Sequence, residues 1–175
     1  MHISEIYRAI YCHLDNLTPL PIDCGELCGK LCCKPSDTGE DIGMYLFPGE
    51  EALFKGIDGF VITDSDFTYA DDKCAKLISC TRSCERSDRP LSCRIFPLVP
   101  YYRKGSGVRI ITDPRAVTCP LTHSIAKPYI DRNFRLEVWH AFRVLSRFPE
   151  IADFLDALTD ILDDYNMLRG NNYDY

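Results

Sequence analysis

Nine of the chain's 10 cysteines fall between positions 24 and 119, and no other feature narrows its possible folds as much. The first group reads Cys24-x3-Cys28-x3-Cys32-Cys33. The second reads Cys74-x5-Cys80-x3-Cys84-x8-Cys93, and Cys119 follows after a 25-residue gap. Ten cysteines in 175 residues lie below the roughly 8–10% that marks a short disulfide scaffold. With 46% hydrophobic and 26% charged residues, the chain can build an ordinary core without staples.

Soft thiolates at close spacing are what zinc or iron–sulfur centres require: ligands from one tight turn bring sulfurs to one centre, and a distant pair closes it. On a continuous helix Cys24, Cys28 and Cys32 would share a face, while Cys33 would point elsewhere. Gly25 and Gly29 argue against a regular helix and favour turns whose N–H groups approach sulfur. The competing reading is disulfides or buried thiols. The N-terminus MHISEIYRAIYCHL has Glu5 and Arg8 inside it and no unbroken apolar run, so no secretory signal is expected. That favours a cytoplasmic location, where thiols stay reduced and clustered cysteines serve metals or catalysis. Cys12, among the apolar positions of an N-terminal helix, is expected in the core. Of the four histidines, only His123, at Cys119-x3-His123, has ligand-like spacing; His140, beside Trp139, is expected to be structural or exposed.

The longest mainly apolar stretch, Ile95 to Tyr102, holds two prolines and falls far short of the ~20 residues a membrane span needs. The ends read as helices. Ile3, Ile6, Tyr7, Ile10 and Leu14 recur at helical steps after Ser4, a plausible cap, and Pro19 and Pro21 end the segment. Asp131 can cap a helix with the face Phe134, Val138, Phe142 and Leu145. Pro149 starts another, repeating Ile151, Phe154, Leu155, Leu158, Ile161, Leu162 and Tyr165, so 130–168 reads as a helical hairpin. The middle, 22–120, holds seven of 11 prolines, with short candidate strands at Met44–Phe47, Phe60–Thr63 and Val108–Thr112. The expectation is one α+β domain over 1–175: an irregular, cysteine-rich, metal-organised middle packed on N- and C-terminal helices. Residues 170–175 read as a frayed tail.

Between Arg89 and Pro97 the chain reads Arg89-Pro90-Leu91-Ser92-Cys93-Arg94-Ile95-Phe96-Pro97. This RPxxCRxFP string, with Cys32-Cys33 upstream, resembles the zinc- or iron-chelating domain family known for its CxxCxxCC cluster. The resemblance covers about residues 24–120. It implies a ligand set of Cys24, Cys28, Cys32, Cys33, Cys74, Cys84, Cys93 and Cys119, with Cys80 an alternative to Cys84 or Cys74. The first cluster is wider here than the name-giving spacing, and Cys80 is extra or shifted. The family is distantly similar to the cysteine-rich domain of flagellin lysine N-methylases. This chain has no Gly-rich strand-to-helix loop of the usual methyltransferase kind, so that activity is not carried over.

Arg89 and Arg94 flank Cys93, where positive charge lowers a thiol's pKa and offsets the charge of a metal held by thiolates. Arg94 alternatively holds a substrate carboxylate, or makes a structural pair with Asp88 or Asp113; Phe96 is expected in the core, and Pro90 and Pro97 are expected to enforce an extended path. Cys80 to Arg115 holds eight basic against three acidic residues, whereas Glu150 onward holds seven acids and one arginine. These stretches either pair with each other or offer the basic one to an anionic partner. A net charge of −6 argues against a generic nucleic-acid binder, and no catalytic pair stands out. The leading expectation is a metal-binding protein holding zinc or iron, including the iron–sulfur case. The alternatives are a metal-dependent enzyme, methylase-like or redox, acting on a protein or anionic substrate, and a protein-interaction module with structural zinc.

Overall fold

A helix whose apolar side chains return every three or four residues must lay that stripe against something, and here the partner is a β-ribbon. The computed structural model describes residues 2–22, 24–30, 32, 43–82, 85–122 and 130–168. In it α4 (Arg132–Leu145) and α5 (Pro149–Leu168) follow one another. Asp131 caps α4, accepting from the Phe134 N–H at 2.7 Å. Phe134, Val138, Phe142 and Leu145 are fully buried, as are Phe154, Leu155 and Leu162 of α5. Each such side chain contributes roughly 1.5–3 kcal/mol by leaving water. Each of these two consecutive helices makes its main contacts with a strand: α5 with β4 (Leu98–Arg103) and α4 with β5 (Gly107–Thr112).

β4 and β5 pair antiparallel, from Leu98 opposite Thr112 to Arg103 opposite Gly107. Among the described residues β5 pairs with β4 alone, and α4 side chains cover its outer edge. Trp139 Nε1 donates to the Val108 carbonyl at 3.1 Å and Arg135 to the Ile110 carbonyl at 3.0 Å. On the other side, buried Thr159 of α5 accepts from the Tyr102 N–H at 2.9 Å. These contacts satisfy edge groups that would otherwise be open to pairing.

A second sheet has the order β1-β3-β2, built from β1 (Met44–Tyr45), β2 (Phe60–Tyr69) and β3 (Lys73–Cys80), all antiparallel. The register of β2 breaks between Asp64 and Thr68. Gly43 leads into β1 so close to β3 that a Cβ there would stand 2.7 Å from the Ile78 carbonyl oxygen. Aromatic rings join this sheet to the helices: Phe154 meets Phe67 (5.1 Å), Tyr69 (5.2 Å) and Phe47 (5.6 Å), and Phe47 also meets Phe142 (4.9 Å). α1 (Ile3–Leu14) completes the core with Ile6, Tyr7, Ile10 and Leu14. The chain is thus a single α+β domain with helices at both ends. Among the described residues no helix is long and apolar enough to cross a membrane.

Several expectations need correction. The cap of α1 is His2, not Ser4: its ring accepts from the Ser4 N–H while Glu5 reaches back to the His2 N–H. Cys12 is exposed, because it sits two positions from both Ile10 and Leu14 and so off the buried stripe. The path between Pro90 and Pro97 is not extended throughout: Leu91–Ile95 forms the short helix α3. Pro90 stands before its first turn, where a missing N–H costs nothing. The tail at 170–175 lies outside the described residues.

Candidate metal centre

Four cysteines from distant parts of the chain line one small cavity: Cys24, Cys28, Cys32 and Cys119. Its volume of about 20 Å3 suits a single water-sized occupant. Two local devices bring the thiols there. α2 (Gly25–Cys28) is one helical turn with Cys24 as its N-cap, and it stops where Gly29 and Lys30 take left-handed conformations (φ 60° and 58°). Cys24 and Cys28, four apart across that turn, therefore share a side. Gly29 meets this requirement without strain because it has no Cβ.

Cys119 arrives on a chain of tight turns after β5. The Asp113 side chain accepts from the Arg115 N–H, and Ala116 bonds back to the Asp113 carbonyl. Cys119 bonds back to Ala116, and the Thr122 hydroxyl engages the carbonyls of both Ala116 and Cys119. Burial raises the Cys119 thiol pKa and the charge of Cys28 adds to the rise, while N–H groups of Leu121 and Thr122 oppose it. The two thiols are thus electrostatic neighbours, although 91 positions separate 28 from 119. Phe96 and Pro97, closing the RPxxCRxFP string, supply apolar wall. Phe96 is half-buried rather than in the core.

The other candidates lie elsewhere. Cys74 is exposed on β3 opposite Thr68, in a separate depression with Glu51, Lys73 and Glu150. Cys80 ends β3 opposite Phe60, and Cys93 is half-buried on α3; neither lines the cavity. Cys33, Cys84 and His123 fall outside the described residues. Among the described residues no three His, Cys, Asp or Glu side chains are drawn together closely enough to hold a metal ion. The cavity gathers thiols without closing them into a cage. Its donor set nonetheless matches a thiophilic ion, because all four titratable groups on its wall are cysteines.

A group of three arginines reaches this corner through Arg86, which interacts electrostatically with Cys24. Arg94 is 2% exposed, and each of its three guanidinium nitrogens has a partner. It donates to the carbonyls of Arg89 (2.8 Å) and Ser87 and to Asp15 Oδ1 (3.1 Å), and its guanidinium lies 4.4 Å from the Tyr11 ring centre. The structural acid partner of Arg94 is therefore Asp15, not Asp88 or Asp113. Arg86, which the sequence reading passed over, donates to the carbonyls of Leu14, Asp15 and Leu17 at the end of α1. Its pKa is lowered by burial, then by Arg89 and Arg94, whereas Asp15 and Cys24 act in the opposite sense. Three guanidinium groups thus interact electrostatically, one of them with a cavity cysteine.

Glu50 also escaped the sequence reading. It is fully buried and accepts from the N–H groups of Leu91 (2.6 Å) and Phe47 (3.0 Å) and from the Tyr11 hydroxyl. One carboxyl thereby ties α1, the turn after β1 and the start of α3. Burial pushes its pKa up to about 7, against three hydrogen bonds that favour the anion. No local pattern marks such a residue; only the absence of any periodic reason for Glu50 hints at it.

Two residues of the basic stretch pair with the acidic C-terminal helix. Arg103 meets Asp160 at 2.6 Å and Asp163 at 2.5 Å, and Lys104 meets Asp153 at 2.7 Å. No family model, curated protein or solved structure matches the chain.

Proposed function

We propose that the protein binds a thiophilic metal, zinc or iron, at the corner where Cys24, Cys28, Cys32 and Cys119 meet. One observation carries this reading: cysteines up to 95 positions apart line a single cavity. Random placement of thiols does not favour such convergence, and the RPxxCRxFP resemblance points to the same chemistry. Binding would draw the four sulfurs inward and release protons, since the ligands are thiolates. Arg86, which interacts electrostatically with Cys24, offsets part of the negative charge that four thiolates leave around a divalent ion. A cytoplasmic location agrees with this use of cysteine.

The test is elemental analysis and a visible spectrum of protein purified without oxygen. Stoichiometric metal is the expected result. A brown protein with bound iron and broad visible absorption identifies an iron–sulfur centre, and a colourless one with zinc identifies a tetrahedral thiolate site. Metal-free protein with every thiol titratable in the native state would falsify the reading.

A further inference from the structure

Beside the cysteine cavity lies a much larger cleft of about 840 Å3, between the three-stranded sheet and the floor made by α3, β4 and α5. This falls in the range of roughly 300–1,000 Å3 typical of small-molecule sites. Its walls are mostly apolar, with Tyr45 and Phe67 on the sheet side and Leu98 and Phe154 on the floor. Cys32, Phe96 and Thr118 line both the cleft and the cavity, so the two adjoin.

Three polar groups in the cleft have unused capacity among the described residues. Ser92, only 9% exposed, lines the cleft with a buried hydroxyl oxygen that has no hydrogen-bond partner. Buried hydroxyls are nearly always satisfied, so an unsatisfied one on a residue that lines a cleft points to a partner supplied from outside. Arg115 donates from Nε (2.9 Å) and Nη2 (2.8 Å) to Asp113, which leaves the Nη1 donors for another acceptor. Asp66, exposed at the break in β2, has no basic partner, whereas its neighbour Asp64 is paired with Lys76. Because Asp113 already balances Arg115, the charge left in the cleft is negative.

We propose that this cleft binds a small apolar, peptide-like molecule that carries a protonated amine and a neutral carbonyl. The amine faces Asp66, the carbonyl takes hydrogen bonds from Arg115 or Ser92, and the apolar body lies against Phe67, Leu98 and Phe154. An anion is disfavoured, since it would meet Asp66 and Asp113 with only the neutralised Arg115 to receive it. The inference stands apart from the metal reading, as none of these contacts uses a thiol.

The experiment is a titration with the dipeptide amide phenylalanyl-leucinamide, followed by amide NMR shifts on the intact protein, with and without added zinc. Saturable shifts confined to cleft residues such as Thr63, Ser92 and Thr118 are expected in both conditions. N-acetylation of the probe, which removes its charge, should weaken binding about three- to tenfold at low salt, and Asp66→Asn should remove that difference. Ser92→Ala should weaken binding about three- to tenfold without lowering the melting temperature, because it removes a hydroxyl that makes no bond in the folded protein. Thr63→Trp, at an exposed position that lines the cleft, should block it. The proposal is overturned by the absence of saturable binding, by shifts scattered beyond the cleft, or by undiminished binding in both Ser92→Ala and Thr63→Trp.

Discussion

The ribbon-and-helix half and the cysteine corner are held in shape by different means. In α4 and α5 the buried side chains are large and continuous, with Phe134, Phe142, Phe154, Leu155 and Leu162 all fully enclosed. In α2 the only buried residue is Gly25, and in the turn Pro120–Thr122 it is Leu121. Burial alone can specify the first half. The second has little apolar area to offer, so turn chemistry, buried polar anchors and, on our proposal, metal ligation must hold it. Glu50 and Arg94 lie along the seam and fasten α1 and α3 to the rest.

The largest expected effect tests whether the two cysteine groups differ as their positions imply. Cys119→Ser should abolish stoichiometric metal and lower the thermal midpoint, whereas Cys74→Ser should keep both, since Cys74 lies exposed and away from the cavity. Equal metal loss in the two variants, by elemental analysis, would erase the distinction.

A smaller effect probes the seam. The folded protein holds the Glu50 proton to about pH 7, whereas the carboxyl's ordinary value is 4.5. The native state therefore binds more protons than the unfolded chain across that window. The stability this supplies is complete at the acid end and is lost as pH rises to about 7. Relative to Glu50→Gln, the parent's unfolding free energy should fall by on the order of 3 kcal/mol across the window. Denaturant unfolding at several pH values measures this, and parallel profiles for the two proteins would contradict it.

The smallest effect belongs to the outer face of the helical half. Arg103 and its partners Asp160 and Asp163 are all at least one-third exposed. Such pairs contribute about 0.2–1 kcal/mol each and are screened by salt. Arg103→Ala should lower the melting temperature slightly at low ionic strength and hardly at all in molar salt. A loss as large as that from Cys119→Ser would mean that surface charge, not the core, governs this half.

The terminal helices were legible because their signal is local. A period of 3.6, an Asp cap at 131 and a proline at 149 act within a few residues, and each sits where expected. β3 was not legible: KCAKLISC carries cysteines that also read as ligands, and its strand character comes from pairing with β1 and β2 on both sides. α3 was hidden between prolines, and its first N–H, that of Leu91, bonds to Glu50, 41 positions away.

The sequence by itself determined the α+β class, the framing helices and the presence of two cysteine groups. These rest on spacing and periodicity, which are properties of neighbouring residues. Only the tertiary structure decided which cysteines meet. It put Cys119 beside Cys28 and left Cys74 exposed on β3, because contacts across long loops depend on how the sheets and helices pack, and no local pattern encodes that.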